Sequence, residues 1–162
     1  RLPVTFYKSV EQLPPFEDYR MEGKTYRYFK GEPLYPFGYG LSYTTFKYDN
    51  LKLDSRRYTT DQNVELSVEV QNTGARAGDE VVQLYLTDVA SSVTRPVKEL
   101  KGFERVTLAP GERRRVEFAL GPAELGFYDR SMRYTVEPGA FRVMVGASSA
   151  SGLEANFEVT GR

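Results

Sequence analysis

The sequence predicts an all-β chain, a two-sheet sandwich of about seven short strands preceded by an extended, aromatic-rich N-terminal connector. Three observations predict it. Beyond residue 44, apolar residues recur with a period of two in short stretches. Turn signals built on Gly, Pro and Asn separate those stretches at intervals of about 8–12 residues, the spacing of immunoglobulin-like sandwiches. Residues 1–43 follow neither a helical nor a strand period, yet hold 11 of the 22 Tyr and Phe and five of the nine Pro.

In the connector, Pro14-Pro15, Pro33 and Pro36 exclude a long helix or a central strand. The stretches Thr25-Tyr26-Arg27-Tyr28-Phe29 and Tyr35-Pro36-Phe37-Gly38-Tyr39-Gly40-Leu41 are too apolar for a solvated linker and must lie against something. Phe46 and Tyr48 then share one phase and Leu51 and Leu53 the other, which predicts a strand with a bulge near Asp49-Asn50. Val64, Leu66, Val68 and Val70 alternate with polar residues as one half-buried strand, closed by Asn72-Thr73-Gly74. Residues 81–87 are apolar on both faces, so this strand is the more central one. Leu100, Val106 and Leu108 predict a further strand, and Ala109-Pro110-Gly111-Glu112 turns into Val116, Phe118 and Leu120. Pro138-Gly139 opens the strand of Phe141, Val143 and Val145, and residues 148–152 lead to Leu153, Ala155, Phe157 and Val159.

Composition narrows the chemistry. With no Cys there are no disulfides, thiolate metal sites or Cys nucleophile, and with no His there is no Ser-His-Asp triad, His-based metal site or imidazole base. The 22 basic and 22 acidic residues cancel, which argues against nucleic acid or an anionic membrane as partner. No apolar run approaches the length of a membrane span. The start at Arg1 rather than Met suggests a piece of a longer chain.

Four spaced motifs carry a resemblance: Val70-Gln71-Asn72-Thr73-Gly74, Glu80-Val81-Val82-Gln83-Leu84-Tyr85, Lys98-Glu99-Leu100-Lys101-Gly102-Phe103 and Leu108-Ala109-Pro110-Gly111-Glu112. The sequence resembles the C-terminal fibronectin type III-like domain of glycoside hydrolase family 3, the β-glucosidase and β-xylosidase family. Leu2-Pro3-Val4-Thr5-Phe6 resembles the last strand of that family's α/β sandwich domain. Tyr26-Arg27-Tyr28-Phe29 and Pro36-Phe37-Gly38-Tyr39-Gly40-Leu41-Ser42-Tyr43 resemble the connector that follows it. The resemblance thus divides the chain at residues 1–43, the end of the upstream domain plus connector, and 44–162, the sandwich. It implies a retaining β-glycosidase parent whose Asp nucleophile and acid/base carboxylate both lie upstream of Arg1. No residue here matches either.

The residues agree with a non-catalytic piece. Retaining hydrolysis needs two carboxylates about 5–5.5 Å apart. Glu17, Asp18 and Glu22 sit on an irregular segment with no scaffold to set that distance, and read as solvated charge. Gly38-Tyr39-Gly40 lacks the third Gly and following helix of a dinucleotide loop, and reads as a close backbone approach. Arg113-Arg114-Arg115 is flanked by Glu112 and Glu117, and Asp79, Glu80 and Asp88 lack calcium-loop spacing, so no cofactor or metal is assigned.

The expected working residues are therefore Tyr26, Tyr28, Phe29, Tyr35, Phe37, Tyr39 and Tyr43, packing between this sandwich and the upstream catalytic domains of the same chain. The alternative is that these rings stack on sugars, holding polysaccharide near the active site. Cut free, the connector is expected to fold back on its own sandwich or to drive self-association, with residues 1–6 frayed or recruited to a new edge. The sequence leaves the parent's compartment open between cytoplasmic, periplasmic and secreted, and an extracytoplasmic setting is compatible with it.

Overall fold

A computed structural model describes residues 1–161. Its strands are β1 (Phe46–Leu53), β2 (Arg57–Thr59), β3 (Val64–Asn72), β4 (Gly78–Asp88), β5 (Glu99–Leu108), β6 (Arg113–Leu120), β7 (Phe127–Tyr128), β8 (Tyr134–Thr135), β9 (Gly139–Gly146) and β10 (Leu153–Thr160). Two single helical turns accompany them, α1 (Thr25–Tyr28) and α2 (Pro122–Leu125). The seven strands expected from periodicity are the seven long ones, of 8 to 11 residues. No helix among the described residues is long and apolar enough to cross a membrane.

One sheet has the order β1-β3-β6 and the other β2-β10-β9-β4-β5, with β7 and β8 as a separate hairpin. The core lies between the two sheets. Val64, Leu66, Val68 and Val70 from β3, with Val116 and Leu120 from β6, face Val82, Leu84 and Leu86 of β4 and Phe141, Val143 and Val145 of β9. All are essentially buried, so the period-two pattern of the sequence is the sandwich's inner face.

Irregularities have local causes. The register of β1 against β3 shifts between Asp49 and Lys52, and Asn50 takes φ +54 there, its side-chain amide donating to Glu69 (2.9 Å). This is the bulge that brings Phe46 and Tyr48, then Leu51 and Leu53, all onto the core. In β5 a second shift sets Gly102 opposite Leu84 but Leu100 opposite Tyr85, so Leu100 does not share the face of Val106 and Leu108. Gly102 leaves room for Phe118, whose ring would lie 3.1 Å from an added Cβ. Asn72, fully buried, donates to the carbonyls of Arg76 (2.7 Å) and Leu108 (3.0 Å) and accepts from Thr44 Oγ1 (2.6 Å). That cluster closes β3 onto the neighbouring loops.

The connector departs from the expected extended path in two places. Residues Val10–Gln12 form a 3-10 turn, and Tyr26-Arg27-Tyr28 lie within helical α1, entered through Thr25 at φ +54. Of the two expectations for the chain start, frayed or recruited to a new edge, the structure has it paired. Phe6 N–H donates to Tyr35 O (2.9 Å), Leu2 N–H to Tyr39 O (2.8 Å) and Gly38 N–H to Leu2 O (2.8 Å), a short antiparallel ladder inside the connector.

Candidate interdomain face

Because β4 alternates, Val82, Leu84 and Leu86 point into the sandwich while Gln83 and Tyr85 point out of it. Both outer residues are nonetheless buried, since the connector lies over them. Tyr26 stacks on Phe37 with centroids 4.2 Å apart and planes at 18°, and meets the Tyr85 ring edge-on at 6.0 Å. The Leu100 amide donates to Tyr26 Oη (3.0 Å). Gln83 Nε2 donates to the carbonyls of Gly38 (3.1 Å) and Ala147 (2.6 Å), and Tyr85 O–H donates to Gln83 Oε1 (2.6 Å). Two backbone bonds complete the seam, Val97 N–H to Arg27 O (2.6 Å) and Ser149 N–H to Phe37 O (2.9 Å).

Gly38 is the hinge of this contact. It takes φ +79, and an added Cβ would stand 1.9 Å from Gln83 Oε1 and 2.9 Å from Tyr85 Oη. Both backbone conformation and space demand glycine there.

A second tie is ionic. Arg1 Nη2 reaches the buried carboxylate of Glu80 (2.5 Å) while Arg1 Nη1 donates to Gly40 O (2.8 Å), and Tyr48 O–H donates to Glu80 (3.1 Å). Burial raises the Glu80 pKa above its usual range, opposed by Arg1 and by the Tyr48 hydrogen bond. The outer hydroxyl of Tyr85 is likewise pushed up by burial.

The seven expected packing residues are not brought to one place. Tyr26 and Phe37 form the inner seam, and Phe29 packs edge-on against Tyr7 (4.9 Å). Tyr28 is half-buried. Tyr35 and Tyr39 sit 5.1 Å apart with Phe6 edge-on to Tyr35 at 6.1 Å, beside a groove also lined by Arg1, Leu2 and Leu41. Tyr43 is 92% exposed. Glu17 and Glu22 are exposed, and Asp18 is paired with Arg20. The Arg20 side chain and amide hold the Asp18 carboxyl down to about 2, where it cannot carry a proton as an acid near neutrality.

Gln83, Tyr85, Arg1 and Glu80 escaped the sequence reading as seam residues. The available signal was a polar Gln inside a strand already apolar on both faces.

The exposed apolar residues are unevenly distributed along the chain. Of the sixteen exposed large hydrophobic residues among those described, eleven lie within residues 1–43, among them Phe16 (95%), Leu41 (87%) and Tyr19 (90%).

Residues 80–149 match the family model of the fibronectin type III-like domain. The matched span of the sandwich is fibronectin type III-like. The chain as a whole is 45% identical to the periplasmic β-glucosidase of Salmonella typhimurium, over 98% of this chain and 22% of that protein. It is 47% identical to a β-xylosidase of Formosa agariphila, over 92% of this chain and 21% of that protein. The solved β-glucosidase of Erythrobacter marinus superposes with a TM-score of 0.83 at 40% identity, over 96% of this chain and 21% of its own. That of Listeria innocua with glucose gives 0.81 at 35%, over 97% and 24%. The chain therefore spans about a fifth of the length of these relatives and corresponds to their C-terminal domain. The likeness extends across the connector as well as the fibronectin type III-like sandwich.

Proposed function

We propose that the chain is the non-catalytic C-terminal accessory domain of a longer family 3 β-glycosidase, and that its connector face packs on the upstream catalytic domains and stabilises them. The parent hydrolyses O-glycosyl bonds of β-glucosides or β-xylosides in an extracytoplasmic compartment, in keeping with the names of the relatives above. One observation carries the packing role: the concentration of exposed rings and aliphatic side chains on residues 1–43, against a sandwich whose own apolar residues are mostly enclosed. The inner seam fixes the connector on the sandwich, so its outer side is presented as a preformed surface rather than a loose tail. Burial of even a few hundred Å² there at about 25 cal/mol/Å² contributes several kcal/mol before ordering is counted.

Hydrogen exchange compared between the 162-residue chain and the full-length parent tests this. Residues 1–43 are expected to gain protection in the parent. Equal exchange in both would overturn the packing role. Capture of polysaccharide by the same rings is the competing reading, and retardation of the chain in gels containing xylan or β-glucan, lost on Tyr43→Ala, would favour it instead.

A further inference from the structure

A cavity of about 540 Å³ opens where the connector crosses the loop before β5, with Thr5, Tyr26, Phe29, Lys30, Pro36 and Lys98 in its walls. Its chemistry is incomplete within the described residues. The Lys98 ammonium is partly buried, and its hydrogen bond to the described residues goes to Ser149 O (2.7 Å). It has no carboxylate at ion-pair distance: Glu154 acts on it from farther off and is itself paired with Arg142 (3.7 Å). Among the described residues Lys30 at the rim has no ion pair, and the Glu32 carboxylate is taken by Lys8 (2.5 Å). In the same wall, Thr5 Oγ1 is buried without a hydrogen-bond partner.

The partly buried Lys98 thus faces a concave, aromatic-walled site without a carboxylate partner among the described residues, with the exposed Lys30 and the Lys8-paired Glu32 at its rim. Withdrawing an ammonium from water without a counter-charge is unfavourable, and a partner that supplies one relieves that penalty. The apolar walls formed by Tyr26, Phe29 and Pro36 suit the methylene stem of an acidic side chain.

We propose that this cavity receives a carboxylate side chain, Asp or Glu, from the part of the parent chain upstream of Arg1, with Lys98 as its ion-pair partner. The proposal rests on the packing reading and adds to it one defined polar anchor among apolar contacts. About four-fifths of each relative's length lies outside the span matched here, so a donor segment of ample length is at hand.

Zero-length carbodiimide cross-linking of the full-length parent, followed by peptide mass spectrometry, tests it. The expected product is an amide between Lys98 and an acidic residue upstream of Arg1, absent in Lys98→Met. The Lys8–Glu32 product serves as the internal control. Recovery of the control without any Lys98 product, or with Lys98 joined only to carboxylates of residues 1–162, would overturn the carboxylate anchor. Hydrogen exchange on the same sample separates the two ideas. Protection of residues 1–43 without a Lys98 cross-link sinks the anchor alone, whereas lack of protection sinks the packing reading with it. As a second measurement, Lys98→Met is expected to lower the melting temperature of the parent more than that of the 162-residue chain. Equal losses would assign Lys98 to the local Ser149 contact only.

Discussion

Gly38 rests against Gln83 so closely that the side-chain amide occupies the space any Cβ would need, while donating a hydrogen bond to the Gly38 carbonyl. One contact therefore both excludes other residues and holds the connector on β4.

Gly38→Ala combines a left-handed backbone with a steric clash. We expect a loss of about 2–4 kcal/mol, from strain of about 1–2 kcal/mol plus disruption of the seam. Gly111→Ala is the control: φ is +76 but nothing lies within 4 Å of the added Cβ, so only the strain, about 1 kcal/mol, is expected. Urea unfolding of both variants checks the difference, and equal losses would refute the steric argument.

Tyr85→Phe removes the O–H that satisfies Gln83 Oε1 inside the seam. Leaving that acceptor buried and unpaired is expected to cost about 1–3 kcal/mol. The companion Leu84→Ala, in the core one residue earlier, is expected to cost about 2–5 kcal/mol. Hydrogen exchange tells them apart: the first variant should deprotect the Ser149 and Val97 amides at the seam before the sandwich opens, the second should not.

Glu80 gives a pH signature. Its folded pKa is raised, chiefly by burial, so its proton is bound more tightly in the folded than in the unfolded chain. The stability associated with that proton is fully present below the ordinary Glu value and is lost as pH rises through the raised folded value. Glu80→Gln cannot ionise, so its stability relative to wild type should improve as pH goes from 4 to neutrality. Unfolding free energies at the two ends decide it, and a relative decline of the variant over that interval would contradict the sign.

Phe16→Ser and Leu41→Ser remove rings and aliphatic surface that touch solvent in the chain alone. Each should change the chain's unfolding free energy by no more than about 0.5 kcal/mol. In the full-length parent, the same changes are expected to lower the melting temperature measurably. Indifference in both backgrounds would argue that these side chains have no partner.

The long strands were legible because one buried face imposes alternation that 8–11 residues display clearly, as in Val64 to Val70. Even the β1 bulge showed, through the phase change between Tyr48 and Leu51. Strands β2, β7 and β8 are two or three residues long, too short for any period, and escaped notice. Tyr58 in β2 is buried by its edge-on packing against Phe157, a contact between residues 99 positions apart (157 − 58). The seam was half legible. The aromatic content of residues 26–39 announced a surface seeking burial, but its site, the outer face of Gln83 and Tyr85, is set by tertiary approach. The helical turn at α1 belongs to the same class. Its start at Thr25, φ +54, runs against residue preference and coincides with the Thr25 amide donating to Tyr7 Oη (2.9 Å).

The two-sided burial of β4 bears on how this sandwich can be moved between proteins. A graft that begins at residue 44 would carry Tyr85 and Gln83 into water, one with a bare ring and the other without its Gly38 acceptor. The smallest transplantable unit accordingly starts upstream of Tyr26, and a chimaera built on it inherits the outward-facing rings of the connector together with whatever neighbour they require.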